Sequence, residues 1–265
     1  MARAQRSGLA NLVKTTEANV DNAMLIGLSR QITLRRAMDI TANNIANANT
    51  TGFKAEQILL EENPYTPARH QDGPRRLQYN DEWGVGRDFS QGPLTPTGRP
   101  LDFALEGEGF FTIETDAGVR YTRDGAFTLN AQGELVASDG ARVLDEGGSP
   151  ILLDPEGGPI SVTVDGELAQ NNAPIARLGV VTFEDLGVLE KVGSNRLRLP
   201  EGEGAEPQPM TDTKILQGMT ESSNVQPIME LTRMMEVSRA YQSVTRMIQQ
   251  TDELNRRAIE RLGRA

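Results

Sequence analysis

Toward the end of the chain the positions Met234, Val237, Tyr241, Val244, Ile248, Thr251, Asn255, Ala258 and Leu262 follow one another at intervals of three and four. A period of 3.5 residues predicts an α-helix with one narrow seam, and it favours a left-handed supercoil with a partner helix. Near the other end Leu34, Met38, Thr41, Ile45 and Ala48 repeat the spacing, with Ala37 widening the stripe. Neither helix can bury its stripe alone, because an isolated helix draws little stability from propensity without packing. The two extremities therefore form one unit only by returning to each other around the whole middle of the chain.

That middle is written differently. From Glu61 to Pro100 the text "ENPYTPARHQDGP" and "GPLTPTGRP" carries prolines, which remove backbone donors and favour extended backbone, so an irregular connector is predicted. From about Leu101 turn signals recur: Asp124-Gly125, Gln132-Gly133, Asp139-Gly140, Gly147-Gly148, Gly157-Gly158 and Asp165-Gly166. Between them "FFTIE", "RYT", "AFTL", "ELVA" and "RVL" read as hairpin strands, and Ile160, Val162 and Val164 alternate with polar residues as a half-buried strand does. This spacing predicts antiparallel sheet over any βαβ arrangement. The fold class is α+β: a leader at 1–19, an N-terminal assembly helix at 20–54, an extended connector at 55–100, a β-rich domain at 101–220 and a C-terminal assembly helix at 221–265 that packs with the first. "SSNVQP" supplies a capping residue and a proline for the start of the last helix.

Composition removes several functions. With 37 Asp and Glu against 27 Lys and Arg the formal charge is −10, which disfavours a phosphate-binding surface and hence nucleic acid. The absence of cysteine excludes disulfides, thiolate nucleophiles and thiolate metal ligands. No run reaches the ~18 apolar residues of a membrane span, and the first twenty residues lack the apolar segment of a secretory signal. His70 is the sole histidine and sits in the connector without a partner for a metal site or triad. Acid pairs such as Glu106 with Glu108, or Asp81 with Glu82, have the residue types of a glycosidase, but in so acidic a chain they read as solvated surface. "GEGFF" lacks the third glycine of a dinucleotide loop, so Gly107 and Gly109 read as a tight strand entry. No catalytic, cofactor or metal residue is assigned.

One stretch breaks the helical pattern. "ANNIANANTTGFK", from Ala42 to Lys54, crowds asparagines into a helix although their amides compete for backbone hydrogen bonds. Amides at a helix interface lower stability but fix register, since one alignment satisfies them. Asn43 and Asn47 share a face one turn apart while Ile45 continues the seam, which predicts that Asn43, Asn44 and Asn47 set subunit register in an assembly. Thr50, Thr51, Gly52 and Phe53 are predicted to end the helix, with Gly52 supplying φ > 0. The predicted assembly interface is Leu34, Met38, Thr41, Asn43, Asn44, Ile45, Asn47, Met234, Val237, Tyr241, Val244 and Ile248.

"DNAMLIGLSRQITLRRAMDITANNIANANTTGFKAE" resembles the opening of the rod and hook axial proteins of the bacterial flagellum, the proximal-rod type in particular. The resemblance continues through "LDFALEGEGFFTI", "YTRDGAFTLNAQGELVASDGARVL" and "SNVQPIMELTRMMEVSRAYQSVTRMIQQTDELNRRAIERLG". It implies a non-catalytic subunit that polymerises through its terminal helices into a hollow shaft across the periplasm. It further implies, as partners, copies of itself, other rod proteins and the flagellar type III export apparatus, with no membrane insertion and no cleavable signal. Similar proteins begin Met-Asp-Asn, whereas "MARAQRSGLANLVKTTEAN" precedes Val20-Asp21-Asn22 here, which implies that residues 1–19 are a non-native or disordered leader. The alternatives are a distal-rod or hook-type subunit, and a cell-wall-associated binding module or hydrolase.

Overall fold

The computed structural model describes residues 2–64, 78–200, 206–210 and 213–262, so His70 and the rest of 65–77 in the proline-rich stretch lie outside the described residues. Two compact units emerge: Met1–Asn43 with Glu56–Gly86 and Ile228–Ala265, and Asn44–Ala55 with Arg87–Pro227.

The first unit is built on helices α1 (Ala2–Ala46) and α2 (Pro227–Leu262) and a two-stranded sheet of β1 (Glu56–Pro64) and β2 (Gln78–Arg87). The helices meet where a glycine permits it: a Cβ on Gly27 would stand 3.0 Å from Ile248 Cγ1. One turn further on, Gln31 Nε2 donates to Thr245 Oγ1 at 3.2 Å. Advancing along α1 thus means retreating along α2, and the pair is antiparallel. On α2 the seam residues Met234, Val237, Tyr241, Val244, Ile248, Thr251 and Asn255 are half-buried, among mostly exposed neighbours. α1 begins at Ala2, ahead of residue 20, where the sequence places the start of the N-terminal assembly helix.

Two local expectations differ from the structure. α1 stops at Ala46, six residues before Gly52. There Asn47, Ala48 and Thr50 donate their backbone N–H to the carbonyls of Asn44, Ile45 and Asn47, a three-residue spacing that winds the chain out of the helix. Asparagine, not glycine, ends it. The connector is also more regular than its prolines suggest, since β1, β2 and β3 (Leu94–Pro96) lie within it. Pro64 and Pro96 stand at strand ends, where a missing donor is tolerated.

The second unit is β-rich, and its ladders are antiparallel. Its largest sheet runs β14 (Glu190–Lys191), β15 (Arg196–Arg198), β6 (Gly118–Thr122), β5 (Phe110–Thr115), β9 (Arg142–Val143), β8 (Leu135–Ala137) and β7 (Phe127–Leu129). β13 (Val180–Thr182) adds to β5 and pairs in turn with β16 (Gln208–Pro209). A three-stranded sheet joins β10 (Ile160–Val162), β11 (Glu167–Gln170) and β12 (Ala173–Arg177). Two further pairs, β4 (Phe103–Glu106) with β17 (Lys214–Gln217) and β3 with β18 (Met219–Glu221), bring the start and end of the unit side by side.

The main core gathers Phe103, Leu105, Phe111, Ile113, Leu135 and Leu168, each at most 1% exposed, with Phe127 edge-on to Phe111 at 5.3 Å between ring centres. A second cluster holds Phe110, Tyr121, Phe183, Leu189 and Leu197. Because β5 alternates its side chains, Phe110 enters one cluster while Phe111 and Ile113 enter the other.

Candidate functional site

The segment after α1 does not stop at ending a helix. Gly52, at φ +64°, donates its N–H to the Glu221 carbonyl at 2.7 Å, and Asn224 N–H donates to the Phe53 carbonyl at 3.3 Å. Thr51 Oγ1 donates to Asp124 Oδ1 at 2.7 Å, and Asn195 Nδ2 donates to the Thr51 carbonyl at 2.7 Å. Phe53 is buried, with Lys191 Nζ 4.7 Å from its ring centre. Asn224 completes the frame, its Oδ1 accepting from Ala55 N–H at 2.8 Å and its Nδ2 donating to the Asp88 carbonyl.

At the centre stands one carboxylate. Glu221 Oε1 accepts from Lys54 Nζ at 2.6 Å and from Gly92 N–H at 2.9 Å. Glu221 Oε2 lies 2.9 Å from Arg123 Nε, an ion pair whose N–H is not aimed along the hydrogen-bond direction. The Arg123 guanidinium donates its other nitrogens to the carbonyls of Gly109 and Gly107, both at 2.6 Å, and Lys54 Nζ donates to the Ser90 carbonyl. The three charged side chains are 6% (Lys54), 4% (Arg123) and 1% (Glu221) exposed, so water cannot solvate them and they must satisfy one another. Burial holds the Lys54 amine below its ordinary pKa, with Glu221 pulling it partly back. Burial likewise lowers Arg123, again opposed by Glu221.

Asp124 is pushed the other way. Burial raises its carboxyl above the usual carboxylate value, against the hydrogen bonds from Thr51 and Ala126. A raised folded-state pKa means the folded chain holds this proton more tightly than the unfolded one. The stabilisation is present at acid pH and is lost as pH rises from the ordinary carboxylate pKa through the raised one. An Asp124→Asn variant keeps an acceptor for Thr51 and removes the titration. Its stability is expected to fall less than the parent's over that window, as read by denaturant midpoints at successive pH values.

The predicted residues divide between the units. In α1 Leu34 and Thr41 are buried and Met38 is half-buried, with Thr41 Oγ1 donating to the Ala37 carbonyl at 2.8 Å. Asn43 is exposed, Ile45 and Asn47 are half-buried, and Asn47 Oδ1 accepts from Thr50 Oγ1 at 3.2 Å. Asn44 is 1% exposed within the single chain, which takes its amide out of a neighbour's direct reach. Thr50 and Thr51 are half-buried, while Gly52 and Phe53 are buried in the second unit. Sequence reasoning missed Lys54, Arg123, Glu221 and Asn224 as a group. Each lies in or beside a stretch singled out for its resemblance, and no local spacing signals a contact spanning 167 residues.

Residues 24–54 match the family described as "Flagella basal body rod protein", 104–182 the "Flagellar hook protein FlgE/F/G D1 domain" and 216–261 the "Flagellar basal body rod FlgEFG protein C-terminal". The flagellar basal-body rod protein FlgF of Caulobacter vibrioides is 49% identical over 245 residues, covering 92% of this chain and 99% of that one. The chain belongs to the FlgF family of flagellar basal-body rod proteins. FlgF of Rhizobium meliloti is 34% identical over the same shares of both chains, and FlgG of Bacillus subtilis is 30% identical over 86% of this chain and 94% of its own. The FlgF family supplies structural subunits of the rod, which fits a location in the flagellar basal body. Among the described residues no helix is long and apolar enough to cross a membrane.

Proposed function

We propose that this rod subunit polymerises through its terminal helices, residues 20–54 and 221–265, into the proximal part of a hollow shaft. The supporting observation is a second apolar stripe on each helix. Leu25, Leu28 and Ile32 on α1 are about half exposed or more, and Ile228, Leu231 and Met235 on α2 are likewise exposed. Both triplets step three then four, and at 100° per residue each faces nearly away from the seam its helix uses within the chain. Bare apolar stripes on a helix invite neighbours. Other rod or hook proteins and further copies of the chain are the partners, and Leu34, Met38, Ile45, Val237, Tyr241, Val244 and Ile248 keep the hairpin together beneath them. The register role of the amides narrows to Asn43 and Asn47.

Export in an unfolded state through the type III apparatus belongs to the same reading, and so does restriction of growth to the tip, where docked neighbours recover the ordering entropy of the helices. The lower identity to FlgG makes a distal-rod position the lesser alternative. Deleting the gene is expected to abolish flagella and motility, with the intact gene supplied in trans restoring both; swimming by the deletion strain would refute the proposal.

A further inference from the structure

We propose that Lys54, Arg123 and Glu221 form a latch that closes after the sheets have folded, and that its closing makes the chain competent to join other copies. The second clause rests on the rod reading; the first does not.

The latch is separable from the cores. Both apolar clusters of the second unit draw on residues between Phe89 and Ile215, and neither includes anything from 51–54 or 221–225. The sheets that carry those clusters can therefore bury their apolar faces with both ends still open, and the short β3–β18 pair, which contains Glu221, closes with the latch. What the ends add is a different kind of bond, two cations on one carboxylate out of water. Desolvation offsets most of the Coulomb gain in such a cluster, so closure lies near balance, unlike the packing of the cores.

The latch is also ordered in time by its own geometry. Arg123 is aimed at Glu221 only while the Gly107 and Gly109 carbonyls hold its guanidinium, and Gly109 immediately precedes β5. The central strand must be in place first. Lys54 and Glu221 are 167 residues apart, so the amine of the N-terminal motif stays without its counter-ion until nearly all of the chain is present. Removing Glu221 strands two buried cations, whereas removing either cation leaves the other paired with the carboxylate. Once closed, the backbone bonds from Gly52 to Glu221 and from Asn224 to Phe53 hold the exit of α1 beside the entry of α2. The three segments that match the flagellar family models thus meet at one point within the second unit.

The test compares the full-length chain with Glu221→Gln and Lys54→Met, the latter keeping the Glu221–Arg123 pair should the former fail to fold. Amide hydrogen exchange followed by mass spectrometry is expected to show residues 51–55 and 219–225 exchanging at least tenfold faster in either variant, with 103–215 unchanged. In a strain lacking the native gene the same variants are expected not to restore flagella. Acceleration spread evenly over 103–215 would overturn the latch as a separate step. Full restoration of flagella by a variant whose ends exchange faster would overturn its role in joining. Neither result bears on whether deleting the gene abolishes flagella, so the latch and the rod reading fail independently.

Discussion

Replacing Gly52 with alanine is expected to destabilise the second unit by about 2–5 kcal/mol, through two effects that add. Gly52 sits at φ +64°, a conformation that costs a residue with a Cβ roughly 1–2 kcal/mol. The new Cβ would also lie 2.4 Å from the Arg123 carbonyl carbon, 2.5 Å from Asp124 N and 2.7 Å from Arg123 O. These are backbone atoms of the segment that carries the latch arginine, and they cannot swing aside as a side-chain tip can. Gly98 provides the control, because it has nearly the same φ, +70°, with nothing within 4 Å of the added carbon. Gly98→Ala is expected to show the conformational cost alone, about 1–2 kcal/mol. Urea denaturation of both variants separates the two terms. Equal losses would mean that the approach of Gly52 to Arg123 has no energetic weight.

The sequence made the gross architecture legible because two periodicities do not overlap. Steps of three and four from Met234 to Leu262 fit only a helix, and α2 follows them. Glycine-marked turns around "FFTIE", "ELVA" and "RVL" fit only short antiparallel strands, and β5, β8 and β9 lie there. What stayed hidden was long-range. "TTGFK" looks locally like a helix end, and its glycine does have the left-handed backbone of one, yet the helix has already ended at Ala46 and the glycine serves the approach to Arg123. "RDG" looks like a hairpin turn, but the strands on either side are not paired: β6 lies between β5 and β15, and β7 pairs with β8. The loop instead delivers Arg123 and Asp124 to the N-terminal motif. Asn44 shows the same limit, since propensity marks its cost while only the folded chain shows that the amide is buried.

Truncating Phe111 to alanine is the sharpest test of the order of events. Its ring is fully buried, lies edge-on to Phe127 and belongs to β5, whose residues at this point pair with β6 on one side and β13 on the other. Removing a buried phenyl ring from such a site costs about 3–5 kcal/mol. At roughly 2–4 °C per kcal/mol for a unit of this size, the aromatic circular-dichroism transition is expected to fall by about 10 °C. Val119→Ala, on the exposed β5–β6 hairpin, is expected to change stability by no more than about 0.5 kcal/mol. The asymmetry with the latch variants carries the physics. β5 begins just after Gly109, whose carbonyl holds Arg123, so loosening the strand withdraws the support on which the latch closes. Phe111→Ala is therefore expected to speed exchange at residues 51–55 as well as in β5, whereas Glu221→Gln speeds it at the ends alone. Dependence running in that one direction is what a clasp mounted on a finished sheet requires, and a Phe111→Ala chain whose ends stay as protected as the parent's would remove the sheet from beneath it.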